Sequence, residues 1–280
     1  MSARSYGADV LLDAVMPRKG GFAVVLQGYF DESERPDGTF AVAGFAYSKG
    51  QAQACLEEWD SLFEEWGGCH MSELAHAQDG IGRFAGLSTT ETGNLLTKAI
   101  AIINARAELA VAVSCDLEEI KSLLPTWIRG FEGAYPVCCH MAMTAMGELA
   151  GVSNEIAYVF EEGHAHQKHA RAFMSRVVDV PSLKNLYRHY SDSFADKDKV
   201  SLLQTADVLV WECTKYWDET VLKRERLMRR SLVALITKGS MKESDYDKKR
   251  IKMMRLTGEP LRKFCDDVKG LGLMQIAESG

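Results

Sequence analysis

The densest apolar run in the chain is Phe22-Ala-Val-Val-Leu-Gln-Gly-Tyr-Phe30, where only Gln27 breaks the pattern, and it ends abruptly on Asp31, Glu32 and Ser33. Such a run predicts a central strand that delivers acid side chains to a sheet edge. A second strand, Thr39 to Tyr47, follows across Glu34-Arg-Pro-Asp-Gly38. Pro36 presets a turn dihedral and Gly38 tolerates positive φ, so the two strands read as a hairpin. The spacing then lengthens to three and four residues at Ala54, Cys55, Trp59, Leu62, Phe63 and Trp66. That predicts an amphipathic helix over 51–66, ended by Gly67-Gly68. A loop from Cys69 to His76 carries two imidazoles and a carboxylate. A second helix is predicted over 89–105, capped by Ser88, Thr89 or Thr90.

Farther on, Glu108 to Asp116 reads as a third strand and Ala134 to Ala150 as a Met- and Ala-rich helix buried on most faces. Glu155 to Glu162 is a fourth strand, His164 to Val178 a helix, and Tyr190 to Phe194 a short strand or loop. The last strong pattern, Val200 to Trp217, is apolar at helical spacing yet places Gln204 and Asp207 on one face. This alternation is that of an α/β protein with a sheet flanked by helices. Residues 1–20 read as a peripheral arm, 21–218 as the main domain, and 219–280 as a basic, mainly helical C-terminal segment.

Composition narrows the class. With 280 residues and 46% hydrophobic content the chain can bury one substantial core. No apolar run reaches the roughly 18 residues of a membrane span, and 1–21 lacks the plan of a signal peptide. Seven cysteines without a C-x2-C pair read as reduced thiols in a cytoplasm. The net charge of −6 hides an asymmetry: 221–263 holds 14 Lys/Arg against 5 Asp/Glu, leaving 19 against 34 elsewhere. Such a basic segment either meets phosphates or neutralises the acidic body it packs on.

The candidate chemistry lies in acids at strand ends. Asp31, Asp116 and the pair Glu161-Glu162 each close an apolar strand, and Asp207 interrupts an apolar helix. Any one of them reads equally well as a solvated turn acid or a helix-dipole charge. Their recurrence is what points to convergence on a hard divalent cation, which takes oxygen ligands. Gln204 reads either as a group orienting Asp207 or a phosphate, or as a core amide. His70 reads as a general acid or as a structural loop histidine. His164, His166 and His169, with His140 beside Cys138-Cys139, allow a zinc reading that matches no strong zinc template. Met141, Met143 and Met146 at helical spacing are core residues.

The motifs GYFDES (28–33), VFEEG (159–163) and LLQTADVLVW (202–211), with the loop His70 to Phe84, resemble the family catalogued as domain of unknown function 3800 (DUF3800). The resemblance runs from Val24 to Trp217. It implies an RNase H-like mixed central sheet flanked by helices, with the first-strand acid at Asp31 and Glu32 beside it. It places the strand-end acid at Glu161 or Glu162, with Glu161 preferred, and the helical acid at Asp207, one turn after Gln204. Asp116 would be a fourth member. RNase H-like nucleases usually carry Asp at the middle strand position, where this chain has a Glu pair.

The expectation that follows is a cytoplasmic metal-dependent nuclease or phosphodiesterase holding one or two Mg²⁺ or Mn²⁺ ions on Asp31, Glu161, Glu162 and Asp207. His70 joins Asp31, Glu161 and Asp207 as a catalytic candidate, and Glu32, Asp116, Gln204 and His164 are additional ones. Nucleic acid would be contacted through Lys223, Arg224, Arg226, Arg229 and Arg230. The alternative is a catalytically silent RNase H-like module for binding or assembly, meeting a partner protein or a second copy through its C-terminal segment. A zinc hydrolase acting on small substrates is a third class.

Overall fold

A computed structural model describes residues 24–36, 38–123, 133–163, 167–222, 227–237 and 250–263. The hairpin expected around Pro36 is present. β1 (Val24–Glu34) pairs antiparallel with β2 (Thr39–Tyr47), and Arg35 N–H donates to Thr39 O at 2.8 Å. β3 (Leu109–Asp116) continues the antiparallel meander beside β2. β4 (Asn154–Glu161) returns on the other side, parallel to β1, and β5 (His189–Ala195) lies parallel to β4. The six-stranded sheet runs β5-β4-β1-β2-β3-β6, a mixed α/β arrangement consistent with an RNase H-like fold.

The sheet carries helices on both faces, which is why its inner strands are apolar on both sides rather than alternating. Leu26, Phe30, Tyr158 and Phe160 face α5 (Ala134–Ala150), α6 (Gln167–Asp179) and α7 (Pro181–Leu186). Met143 and Met146 are fully buried in that layer, as core residues. Tyr29, Phe45 and Val159 face the opposite layer, built from α1 (Lys49–Phe63), α3 (Thr89–Arg106) and α8 (Leu202–Lys215). Gly44 lets this sheet close tightly. A Cβ there would stand 2.3 Å from Tyr29 O and 2.6 Å from the Phe30 ring.

Short elements complete the frame. α1 runs into a 3₁₀ turn, Glu64–Trp66, that stops at Gly67 in the left-handed conformation. α2 (Met71–Ala75) follows, and α3 opens on a reciprocal capping box between Ser88 and Glu91. α4 (Leu117–Leu123) leaves β3 directly, α8 is extended by a wider π-helical turn at Tyr216–Leu222, and α9 (Arg230–Ile236) packs on α3 and α8.

The described part of the C-terminal basic segment holds helical stretches at 219–222, 230–236 and 258–263 and also a strand that the periodicity did not suggest: Arg250–Leu256 forms β6, parallel to β3, and extends the main sheet. In a strand successive side chains alternate between faces. Ile251 and Met253 accordingly meet one core, and Met254 and Leu256 the other. Charged residues interleaved with these suit a sheet edge, and they mask the strand period in sequence. The arm expected at 1–20 lies outside the described residues. No helix among the described residues is long and apolar enough to cross a membrane.

Candidate metal centre

The site forms where the parallel pairing of β1 with β4 ends. Phe30 pairs with Phe160 on these parallel neighbours, so Asp31 and Glu161 occupy the next rung side by side. Both continue the face of Tyr29 and Val159, toward α8. α8 crosses β1 and β2 on that face and contributes Asp207. Thus two strand ends and a helix aim three carboxylates at one region, at the carboxyl ends of parallel strands where α/β sheets commonly place ligands.

At its centre is a group that the sequence reading missed. Lys197 follows β5, and its Nζ lies 3.0 Å from Asp31 Oδ2, 3.0 Å from Glu161 Oε2 and 3.9 Å from Asp207 Oδ2. Its side chain is 14% exposed. Oxygens of Asp31, Glu32 and Glu161 also lie within 4.8 Å of one another, a spacing at which one cation can be shared. Glu32 N–H donates to Asp31 Oδ1 at 2.7 Å, which holds the Asp31 carboxylate toward the cluster.

Burial dominates the electrostatics. Asp31 is 1% exposed, and burial, its hydrogen bond with Glu161 and the charge of Asp207 hold its carboxyl well above the usual range. Lys197 pulls the other way without cancelling these effects. Burial and the Asp31 charge likewise raise Glu32. For Lys197 desolvation is the largest influence and opposes protonation, yet the three surrounding carboxylates outweigh it and keep the ammonium charged. One ammonium among several carboxylates leaves the cluster acidic overall.

Gln204 assembles the scaffold rather than touching Asp207. Its Oε1 accepts from Trp59 Nε1 and from Cys69 N–H, each at 2.9 Å, and its Nε2 donates to Lys197 O at 2.9 Å. One amide therefore ties α1, the segment entering α2 and the Lys197 loop together. Two residues past Cys69, Met71 N–H donates to Asp207 Oδ2 at 2.9 Å. Gly68 makes room for the amide: its φ is +126° and an added Cβ would stand 2.7 Å from Gln204 Nε2.

Neither a scan against models of known protein families nor a search of curated proteins found a match for this chain.

The remaining candidates separate by position. Glu162 is exposed just past the end of β4 and outside the close carboxylate group. Asp116 lies four rungs beyond the level of Asp31 and two strands across, since Thr39 is its partner and Ala43 that of Asp31. That is about 13 Å along the strands alone. Asp116 accepts instead from the Glu118 and Glu119 N–H groups at 2.9 Å and caps α4. His70 stands at the rim, its Nε2 3.1 Å from Asp198 Oδ1, which Arg83 also approaches at 3.4 Å.

His140 is buried in the opposite layer against the Tyr187 hydroxyl, and Cys138 contacts Cys115, so the zinc reading gains no cluster there. His164 and His166 lie outside the described residues. So do Lys223, Arg224 and Arg226 of the basic segment. Arg229 turns inward, its Nε 3.4 Å from the buried Glu212 carboxylate, while Arg230 is exposed at the start of α9.

Proposed function

We propose that this chain is a divalent-metal-dependent nuclease or phosphodiesterase of the DUF3800 type, acting in the cytoplasm on nucleic acid. One observation carries the reading: Asp31, Glu161 and Asp207, from two parallel strands and a crossing helix, converge on one largely buried cationic position. The donor set is all carboxylate oxygen, which suits Mg²⁺ or Mn²⁺ and not zinc. Asp31, Glu161 and Asp207 would hold one or two ions, with Glu32 completing the set. When bound, such ions relieve charge on the attacking and leaving oxygens of a phosphodiester and lower the pKa of water.

The chain's own residues supply the remainder of the chemistry. Burial at the sheet end keeps bulk water from screening the cluster, so its field is strong where charge would develop. Met71 N–H fixes the Asp207 carboxylate and Glu32 N–H fixes that of Asp31, so neither must reorganise. His70 and Arg83, paired at the rim with Asp198 and Arg83 also with Glu73, are the cationic groups an incoming phosphate would meet there, and Arg230 offers an exposed charge on the same side of the sheet. The six described cysteines are free thiols, in keeping with a reducing compartment.

A second reading has its own observation. Because Lys197 lies among the acids and Arg229 is engaged with Glu212, the charges also fit a self-neutralised module that binds a partner without catalysis. Cleavage separates the two. Labelled single- and double-stranded DNA, RNA and hybrid are incubated with Mn²⁺ or Mg²⁺, with EDTA and Asp207→Asn as controls. The nuclease reading expects cleavage of at least one substrate that both controls abolish. Absence of cleavage, together with no change in melting temperature on adding either metal, would favour the silent module.

A further inference from the structure

The position of the Lys197 ammonium carries a consequence for how the site would load. A lysine fixed to a single carboxylate makes one short contact, whereas this one is equidistant, at 3.0 Å, from Asp31 and Glu161 and reaches Asp207 at 3.9 Å. It occupies the point on which the oxygens converge. The oxygens of a metal's ligand set cannot close around an ion while an ammonium sits among them. One positive charge also balances only part of the carboxylate charge there, so a dication is the better match to the cluster.

The surrounding backbone is tied by hydrogen bonds, whereas the side chain is tied through its terminal ammonium. Gln204 Nε2 holds Lys197 O at 2.9 Å, and Glu162 N–H holds Ala195 O at 2.9 Å on the preceding strand. On the far side Asp196 O accepts from Lys199 and Val200 N–H at 2.9 Å, and Asp196 Oδ1 accepts from Asp198 N–H at 2.9 Å. A lysine has a flexible four-carbon stem with three rotatable donors, so its ammonium can leave by rotamer change while the loop stays in place.

We propose that Lys197 is a built-in competitor for the metal position: its ammonium holds the carboxylate cluster together in the metal-free protein and swings out when a divalent cation binds. This rests on the metal-binding reading given above. It assigns Lys197 the setting of the metal concentration at which the site fills. An apparent affinity falls by the fraction of molecules whose site is free, so a lysine resident nine-tenths of the time weakens binding about tenfold. It also gives the protein a defined metal-free state, in which the acids are not left to repel one another.

The test is calorimetric titration of Mn²⁺ into the full chain, wild type against Lys197→Met, which keeps the apolar stem and removes the charge, with Asp31→Asn as the site control. The expected result is binding about tenfold tighter in Lys197→Met, a lower melting temperature for that variant without metal, and loss of binding in Asp31→Asn. Mn²⁺ binding that depends on Asp31 but is equal or weaker in Lys197→Met would overturn the competitor role and leave the metal site standing. Absence of Mn²⁺ binding in wild type and variant alike would overturn both. A second measurement needs no variant. Acylation of Lys197 in the wild-type protein, followed by mass spectrometry, should rise when Mn²⁺ is added. Labelling unchanged at Mn²⁺ concentrations that shift the melting temperature would refute the displacement even if Lys197→Met failed to fold.

Discussion

Replacing Gln204 by leucine tests whether one buried amide organises the site. Leucine is close in volume, so the variant removes hydrogen bonds without opening a large cavity. Gln204 is fully buried and uses both ends of its amide: Trp59 Nε1 and Cys69 N–H on the oxygen, Lys197 O on the nitrogen. Trp59 Nε1 and Cys69 N–H would be left unpaired and buried, and Lys197 O would lose its partner at a part-buried position. Each orphaned buried group costs about 1–3 kcal/mol, so the two buried donors alone cost at least about 2 kcal/mol. Against a total stability on the order of 5–15 kcal/mol that is a large loss.

The assay is urea unfolding followed by tryptophan fluorescence, with the slope held constant across variants. Hydrogen exchange at Cys69 and Met71 should quicken in parallel, because the segment that supports Asp207 loses its tether. Gln204→Glu supplies an internal check. It keeps an acceptor for Trp59 and Cys69 but turns its second oxygen toward Lys197 O, so it can donate there only when protonated. It should therefore be less stable at pH 8 than at pH 6 relative to wild type. A loss below about 1 kcal/mol in Gln204→Leu would refute the reasoning, because orphaned groups of this kind cannot cost so little in a dry site.

Two further outcomes follow from the same geometry. Burial lowers the His140 imidazole to about 4, so the folded form stays neutral where the unfolded one, with a pKa near 6.5, takes up a proton. Stability is then complete above pH 6.5 and falls as pH drops toward 4, by about 3 kcal/mol in all. His140→Gln should flatten that part of the stability–pH curve, and an unaltered slope would show that other groups produce it. Arg229→Glu should lower the melting temperature by bringing a second carboxylate to the buried Glu212, whereas Arg230→Glu, at an exposed position, should leave it within a degree or so. Equal effects of the two changes would contradict the inward role assigned to Arg229.

Much of the frame was legible in the sequence because burial on both sheet faces leaves uninterrupted apolar runs. Val24 to Phe30 could only be an inner strand, and the acids closing it and β4 stood out against that background. The Gln204-x-x-Asp207 spacing marked a helix face, although the amide turned out to serve the Lys197 loop instead of Asp207. Lys197 itself was hidden. Asp196-Lys-Asp-Lys199 reads as a solvated polar turn, and no periodicity reveals an ammonium that folds inward. Its one available signal was place: it lies between β5 and the helix of Asp207, at the sheet end where the acids gather. Asp116 carried a signal that was overlooked, since an aspartate directly before Leu-Glu-Glu is a helix cap by pattern. β6 was obscured because an edge strand interleaves charges with residues that pack on both faces.

The most direct test of the metal centre is a crystal of the protein soaked in Mn²⁺ and measured for anomalous scattering. The expected result is a peak bounded by Asp31, Glu161 and Asp207, with the Lys197 ammonium moved away from the position it holds among them. No peak at saturating Mn²⁺, with the ammonium still held between Asp31 and Glu161, would contradict it.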